Sequence, residues 1–446
     1  MTAPDYVSHY HSLLKGNHAD DAVERLDAGV RRHGLYFDSR PICNVLRPFF
    51  ISGSRYVEIV TSSTRIISAI HKVYRALLES RELRAELGVS EEEEEFIGIQ
   101  PGYSYPDASG RLDAFLDSRG SFGIVEYNPD SPGGLLYGDV LGDIFTEMSI
   151  LYEFSKKYRV HRIPIRPLIL ETLVSCYRRF GWSDHPNIAI VDWRSAKTRA
   201  EFELSREYFE ANGYKTRIVD PDELEYRGGW LSVQGLRIHI VYKRVLVGEL
   251  IERGGSNHPL VRAARDRAVC VVNSFRVQLL FRKSILALLQ DQRFESTFAN
   301  DERIAIRKHV PWTRRVREQR TDYDGKQIDL VEFLLKHRER LVLKPDGAYG
   351  GTGVVLGWEA SDEAWQQALR LALSSDYVVQ ERVEVLEEEF PSCDRGKITL
   401  TKRYVDFDPY VWSGESVEGA GVRLSTSSVL NVTAGGGSAA PVFIVG

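Results

Sequence analysis

At 446 residues the chain is too long for one small core and fits two to four domains or lobes. Its composition, 43% hydrophobic and 27% charged, is that of a soluble globular protein, and a net charge of −5 leaves no basic excess for nucleic-acid phosphates. The first residues show no leader pattern, and no apolar run approaches the ~20 residues of a membrane span, so the expectation is a cytoplasmic enzyme without nucleic-acid or membrane partners.

Residues 5–92 carry helical periodicity, as in the apolar spacing of 66–78. The acidic run 91–95 reads as a solvated helix or turn. From 97 to 150 the pattern changes to short strands with a turn at Asp117-Ser118-Arg119-Gly120, then a helix after Pro132-Gly133-Gly134. Here Arg111-Leu112-Asp113 precedes Glu126-Tyr127-Asn128-Pro129-Asp130. Side chains alternate along a strand, so Arg111 and Asp113 share one face, and Glu126 and Asn128 share a face of the partner. A hairpin could gather Asp113, Glu126 and Asn128 around one point, with Arg111 beside them. Two carboxylates and an amide oxygen suit Mg²⁺. Turn chemistry alone also accounts for Asn128 and Asp130.

Residues 187–242 alternate between strand and helix. Ile188–Val191 reads as a buried strand, 197–212 as a helix closed by Gly213, and 215–219 and 238–242 as strands. Asp192 and Asp220 follow two of these strands, where open α/β sheets place ligands and where helix caps also occur. The strand 268–273 leads into an amphipathic helix carrying Lys283, which reads either as a phosphate ligand or as a solvent-facing lysine. The basic stretch Arg314-Arg315-Val316-Arg317 reads as a solvated helix face. Lys344 ends the apolar strand of residues 341–343 and opens the loop Asp346-Gly347-Ala348-Tyr349-Gly350-Gly351-Thr352-Gly353. Backbone amides of such a loop can approach phosphate oxygens, while the spacing is neither that of a P-loop nor that of a dinucleotide fingerprint. A plain glycine hairpin is the alternative. A helix near 363–373, the strand 377–380 and several strands from 397 onward complete the chain. The four cysteines, Cys43, Cys176, Cys270 and Cys393, are scattered and read as reduced thiols.

In this order the motifs resemble the circularly permuted branch of the ATP-grasp superfamily, which includes glutathionylspermidine synthetase-like enzymes. The resemblance runs from about residue 40 to the end, through Val241-Tyr242-Lys243-Arg244, Asn273, Lys283, Pro311-Trp312-Thr313, Lys344 and the terminal Asn431 and Gly435-Gly436-Gly437. Ordinary members carry the metal ligands after the phosphate lysines; here Asp113 and Glu126 come first. The implied fold class is α/β with α+β elements, a permuted ATP-grasp fold. The implied regions are a helical N-terminal region (1–96), metal-binding strands (97–150), an α/β substrate domain (151–268), a nucleotide-binding lobe (269–396) and returning C-terminal strands (397–446).

The resemblance also implies site roles. Asp113, Glu126 and Asn128 would hold Mg²⁺, with Arg111 near the transferring phosphate. Lys283 and Lys344 would contact ATP phosphates, Gly350, Gly351 and Gly353 would form a flexible lid, and Gln380, Glu381 and Val383 would line the adenine pocket. Arg244 and Arg423 are candidates for a substrate carboxylate or a tetrahedral intermediate, or are ordinary ion-pair arginines. The expected activity is ATP-dependent joining of a small-molecule carboxylate to an amine through an acylphosphate, in a chain that could be a homodimer. A small-molecule kinase and a non-catalytic nucleotide-binding module are the alternatives. No residue identifies the acid or the amine.

Overall fold

The computed structural model describes residues 5–16, 18–37, 39–118, 121–394, 397–427 and 437–446, so Asn431, Gly435 and Gly436 lie outside the described residues. Its largest sheet is antiparallel, in the order Ser438–Ala440, Ser416–Ser425, Lys397–Trp412, Ser109–Leu116, Phe122–Asn128, with Glu387–Asp394 along the other half of Lys397–Trp412. The expected hairpin pairs Arg111 with Asn128 and Asp113 with Glu126; the register then slips, so that Ala114 faces Ile124. One face of the hairpin is apolar, with Leu112, Ala114, Ile124 and Tyr127 buried in the core. Burying side chains such as Leu112 and Ile124 contributes roughly 1.5–3 kcal/mol each. The slip leaves Val125 as an extra residue and directs it, like Glu126, into a cavity on the other face.

The N- and C-terminal parts share this core. Phe49–Ser52 lies parallel to Val442–Val445. The 27-residue helix Gly53–Glu79 starts where the Ser52 hydroxyl accepts from the Arg55 amide at 3.4 Å. Its Ile59, Ile66, Ile70, Val73 and Leu77 fall at helical spacing and are buried. Short strands at Tyr36–Phe37, Arg40–Pro41 and Phe49–Ser52 interrupt a region whose periodicity predicts helix alone.

A second unit has four parallel strands in the order Cys270–Val272, Ile240–Lys243, Ile188–Val191, Thr216–Val219. Ile188–Val191 and Ile240–Lys243 are buried throughout, as a sheet covered on both faces requires. The helix expected over 197–212 spans Arg199–Ala211, and Gly213 follows at φ +89°. From Ile188–Val191 the chain passes to Thr216–Val219 on one side, then to Ile240–Lys243 on the other. The crevice between Ile188–Val191 and Ile240–Lys243 is therefore a topological switch point, at which ligands commonly bind.

A third unit is antiparallel, in the order Thr313–Arg315, Tyr377–Glu381, Leu341–Pro345, Val355–Leu356. The helices Leu330–Lys336 and Asp362–Leu373 cover it, and the buried Trp365 indole donates to the Leu334 carbonyl at 2.9 Å. Two local expectations need correction here and nearby, and a third, the solvated helix at 91–95, holds except at one side chain. Arg314 and Arg315 lie on a strand, not on a helix face. Lys283 sits at the break between the short helices Gln278–Phe281 and Ser284–Leu288, and it is buried. The run 91–95 begins the helix Glu91–Ile97, whose Glu93 closes a capping box with Ser90, and this side chain turns inward to pair with Arg282 at 2.8 Å. All four cysteines are unbridged, and among the described residues no helix is long and apolar enough to cross a membrane.

Candidate active site

The two antiparallel sheets enclose a cavity of about 1440 Å³ that reaches the carboxyl ends of the parallel strands. That exceeds the ~300–1,000 Å³ usual for one small ligand, so there is room for more than one. Its floor is the polar face of the large sheet. Strand alternation and register bring together Arg111 and Asp113, Glu126 and Asn128, Asp406 and Asp408, and Arg423, which pairs in register with Asp406.

These charges neutralise one another. Arg111 Nε and Nη2 donate to the two oxygens of Asp113 at 2.7 and 3.0 Å, and Arg111 Nη1 donates to the Gly133 carbonyl at 2.6 Å. Arg423 Nη2 donates to Asp113 Oδ2 at 2.7 Å, pairs with Asp406, and its Nε lies 3.0 Å from Asp408 Oδ2. Burial pushes the Asp113 carboxyl up, but Arg111 and Arg423 outweigh it and hold this group well below the usual carboxylate range. For Asp406 and Asp408 burial wins, and both are raised.

Two lysines meet this floor from the other side. Lys283 Nζ lies 3.0 Å from Glu126 Oε1 and donates to the Ala348 carbonyl at 2.5 Å. Lys344 Nζ donates to Gln380 Oε1 at 2.7 Å and to the Val125 carbonyl at 3.3 Å. Burial pulls the Lys344 ammonium down to about 8, with Glu126 opposing the shift. Gln380 is itself held, its amide donating to the Thr313 hydroxyl at 3.1 Å, so the Thr313 hydroxyl, Gln380 and Lys344 form one chain of contacts on the cavity wall.

The glycine loop follows from Lys344. Gly350, Gly351 and Gly353 all have φ between +67° and +79°, a conformation that side chains disfavour. Gly350 and Gly351 line the cavity. The root of the loop is pinned by buried Asp346, which accepts from the Ser284 amide at 2.6 Å and hydroxyl at 2.9 Å, while its carbonyl takes the Lys283 amide at 3.1 Å. One residue thereby fixes the loop relative to Lys283. Glu381 accepts from the Tyr323 hydroxyl at 2.8 Å and Arg340 at 2.9 Å, and Val383 lines the cavity on the same wall.

Arg244 lies apart from this cluster, at the end of Ile240–Lys243. It is buried, donates to the Pro132 carbonyl at 2.7 Å and faces the Tyr242 ring. Asp192 ends the neighbouring strand, accepts from the Trp193 amide at 2.8 Å, and burial raises its carboxyl to about 6. Asp220 instead caps the turn Pro221–Glu223. Asp130 is structural, buried against Lys243 and accepting from the Val247 amide at 3.0 Å. Asn273 pins the hairpin to the parallel sheet by donating to the Ser109 and Pro129 carbonyls, both at 2.5 Å.

Sequence reasoning missed Asp406, Asp408 and Asp346. The alternation Val405-Asp406-Phe407-Asp408 was the available signal for the first two.

Among the described residues no group of three or more His, Cys, Asp or Glu side chains stands ready to hold a metal. The cations explain this: both oxygens of Asp113 are taken, and Glu126 is paired with Lys283. Asn128 donates its amide nitrogen to Asp113 at 2.9 Å, leaving its oxygen as an acceptor. Two carboxylates and an amide oxygen at neighbouring register positions fit a hard dication in donor chemistry, provided that the lysine moves off Glu126.

No protein-family model matches the chain, and no curated protein matches its sequence. The structure is similar to that of a glutathione synthetase-like effector from Globodera pallida, solved in its apo form. The TM-score is 0.61 over 95% of this chain and 96% of that one, at 12% sequence identity. At such low identity the likeness lies in the fold: this chain shares the mixed α/β architecture of a glutathione synthetase-like protein.

Proposed function

We propose that the chain is an ATP-dependent carboxylate–amine ligase with a circularly permuted ATP-grasp core. The observation that carries this reading is the convergence of Lys283 and Lys344, from separate elements, beside Glu126 and beneath a glycine loop. In this reading the nucleotide lies between the two antiparallel sheets. Lys283 and Lys344 meet its phosphates, Gly350, Gly351 and Gly353 cover them, and Gln380, Glu381 and Val383 border the adenine. Mg²⁺ would be held by Asp113, Glu126 and Asn128 and would offset phosphate charge.

The chemistry asks for positioning and charge neutralisation rather than a protein nucleophile. A substrate carboxylate oxygen takes the γ-phosphoryl group and ADP leaves. The amine then attacks the acyl carbon, loses a proton and displaces phosphate, leaving an amide. Arg111 and Arg423 line the floor where oxyanion charge would develop. Asp192 and Arg244, opposite charges at the ends of adjacent parallel strands, suit the ammonium and carboxylate of an amino acid or small peptide.

The test is phosphate release from MgATP against pools of acids and amines, with product masses recorded. Release that needs two pools, with a product mass equal to their sum less water, establishes the ligase. A phosphorylated product from one pool makes the chain a kinase. ATP binding without release from any pool favours a binding module.

A further inference from the structure

We propose that Arg253, supported by Lys197, binds a side-chain carboxylate of the substrate, which is therefore an acidic amino acid or acidic peptide; this rests on the reading of Asp192 and Arg244 as the amino-acid end of the cavity. The two cations come from the two connections that flank the switch-point crevice. Lys197 lies between Ile188–Val191 and the helix Arg199–Ala211, and Arg253 ends the helix Val247–Arg253, which follows Ile240–Lys243. Both line the cavity, together with Asp192, Trp193, Arg244 and Glu249. On the sheet floor Arg111, Arg423 and Lys283 are each ion-paired. Among the described residues Lys197 and Arg253 form no ion pair, so their charge is left for a ligand at the place where open α/β sheets bind one.

Arg253 is also held in place, unlike a loose surface arginine. Its guanidinium carbon lies 4.2 Å from the centroid of the Trp193 ring. That ring is fixed: Trp193 is 5% exposed, its indole N–H donates to Glu249 Oε2 at 3.2 Å, and the same oxygen accepts from the Leu246 amide at 3.3 Å. A guanidinium over an aromatic face keeps its in-plane N–H donors free for a carboxylate, and holding it there beforehand lowers the entropy lost on binding. The carboxylates at this end do not neutralise it. Glu249 is engaged by the indole and the Leu246 amide, and Asp192 accepts from the Trp193 amide at 2.8 Å. Tyr349 of the glycine loop lines the same cavity, and its hydroxyl is raised by burial and by the nearby Glu249, Glu252 and Asp192. The loop therefore reaches this end, and an acid held by Arg253 would lie beneath the segment that covers the phosphates in the nucleotide reading.

The experiment is affinity selection of a dipeptide library by the full chain, with and without a non-hydrolysable ATP analogue, the retained peptides being identified by mass. Wild type, Arg253→Gln, Arg253→Lys and Lys197→Gln are compared, with melting temperatures as controls. The readout is the retention of each Glu- or Asp-containing dipeptide relative to its Gln or Asn counterpart, a ratio that a merely structural role for Arg253 would not move. We expect a ratio of about tenfold or more for the best-retained pair in the wild type, below about twofold in Arg253→Gln, and between these in Arg253→Lys and Lys197→Gln. No acidic preference in the wild type, or one unchanged in Arg253→Gln, would overturn the assignment. Neutral dipeptides retained equally well would leave the Asp192 and Arg244 reading standing, whereas retention of no dipeptide under either condition would remove both. Binding of a fluorescent ATP derivative reads the nucleotide proposal separately. If it is absent while the acidic preference depends on Arg253, the carboxylate site stands and the nucleotide reading falls; if it is present without that preference, the reverse holds.

Discussion

The large antiparallel sheet and the parallel sheet contribute to the same cavity in opposite ways. The antiparallel sheet offers a whole face: Arg111, Asp113, Glu126, Asn128, Asp406, Asp408 and Arg423 are interleaved with core residues such as Leu112 and Phe407. Each of these residues is chain neighbour to a core residue, and Arg111, Asp113, Asp406, Asp408 and Arg423 are ion-paired with one another. The central parallel strands are buried on both faces, so only their ends, Asp192 and Arg244, reach the cavity. A face of paired charges forms a coupled network, in which one substitution disturbs several partners. A strand end can change while the strand that holds it stays intact.

The largest expected effect tests the coupled side. Lys344→Met should lower ATP-dependent turnover by roughly a hundredfold or more, because on the proposed reading a charge aimed at the transferring phosphate is lost. Its melting temperature should hold or rise, since the variant removes a buried cation whose ionisation is already pulled to about 8. A near-normal rate would show that the phosphate site lies elsewhere. The contrasting change is Ile190→Ala, at a residue with 0% exposure in the middle of a parallel strand. It should cost about 2–5 kcal/mol in urea unfolding while leaving the rate per folded molecule unchanged. If the rate falls with stability, the parallel sheet is not the passive support described here. Asp346→Ala lies between the two cases. It strands the Ser284 amide and unpins the loop from Lys283. We expect a loss of about 1–3 kcal/mol together with weaker nucleotide binding, measured by unfolding and by fluorescence titration.

Much of this contrast was legible in the sequence, for a physical reason. Alternation along a strand is local, so Arg111 with Asp113 and Glu126 with Asn128 could be assigned to common faces, and the structure sets them opposite one another. The apolar run Ile188–Val191 likewise announced a strand buried on both sides. What the sequence withheld depends on contacts between distant segments. Asp406 and Asp408 reach Asp113 and Arg111 only because Lys397–Trp412 pairs with Ser109–Leu116. Lys283 has an amphipathic helical pattern around it, yet the backbone breaks there, where Asp346 binds the Ser284 amide and the Lys283 amide meets the Asp346 carbonyl. Gln380 lines the cavity where the resemblance implies the adenine, and only the fold shows that its side-chain oxygen also takes Lys344. The order of motifs along the chain suggested the permuted ATP-grasp resemblance, whereas the likeness to a glutathione synthetase-like effector came from comparing the folds.

The smallest effect should come from the strand end itself. The Asp192 carboxyl is raised to about 6 from 3.8, chiefly by burial, so the folded protein holds that proton more tightly than the unfolded chain does. Ionised Asp192 therefore costs stability in full above about pH 6, and the cost fades as pH falls from 6 toward 3.8, below which both states become protonated. Asp192→Asn keeps an acceptor for the Trp193 amide but removes the charge. It should therefore be more stable than wild type at pH 7.5, on the order of 1 kcal/mol after allowance for partial exposure, with the gain vanishing near pH 4. Scanning calorimetry at several pH values measures this. A charge kept at a cost in stability is expected where a ligand uses it, so the same variant should bind an amine-bearing substrate more weakly. A stability gain without that loss would make Asp192 a strand end and nothing more, and the amine would then be sought along the charged face instead.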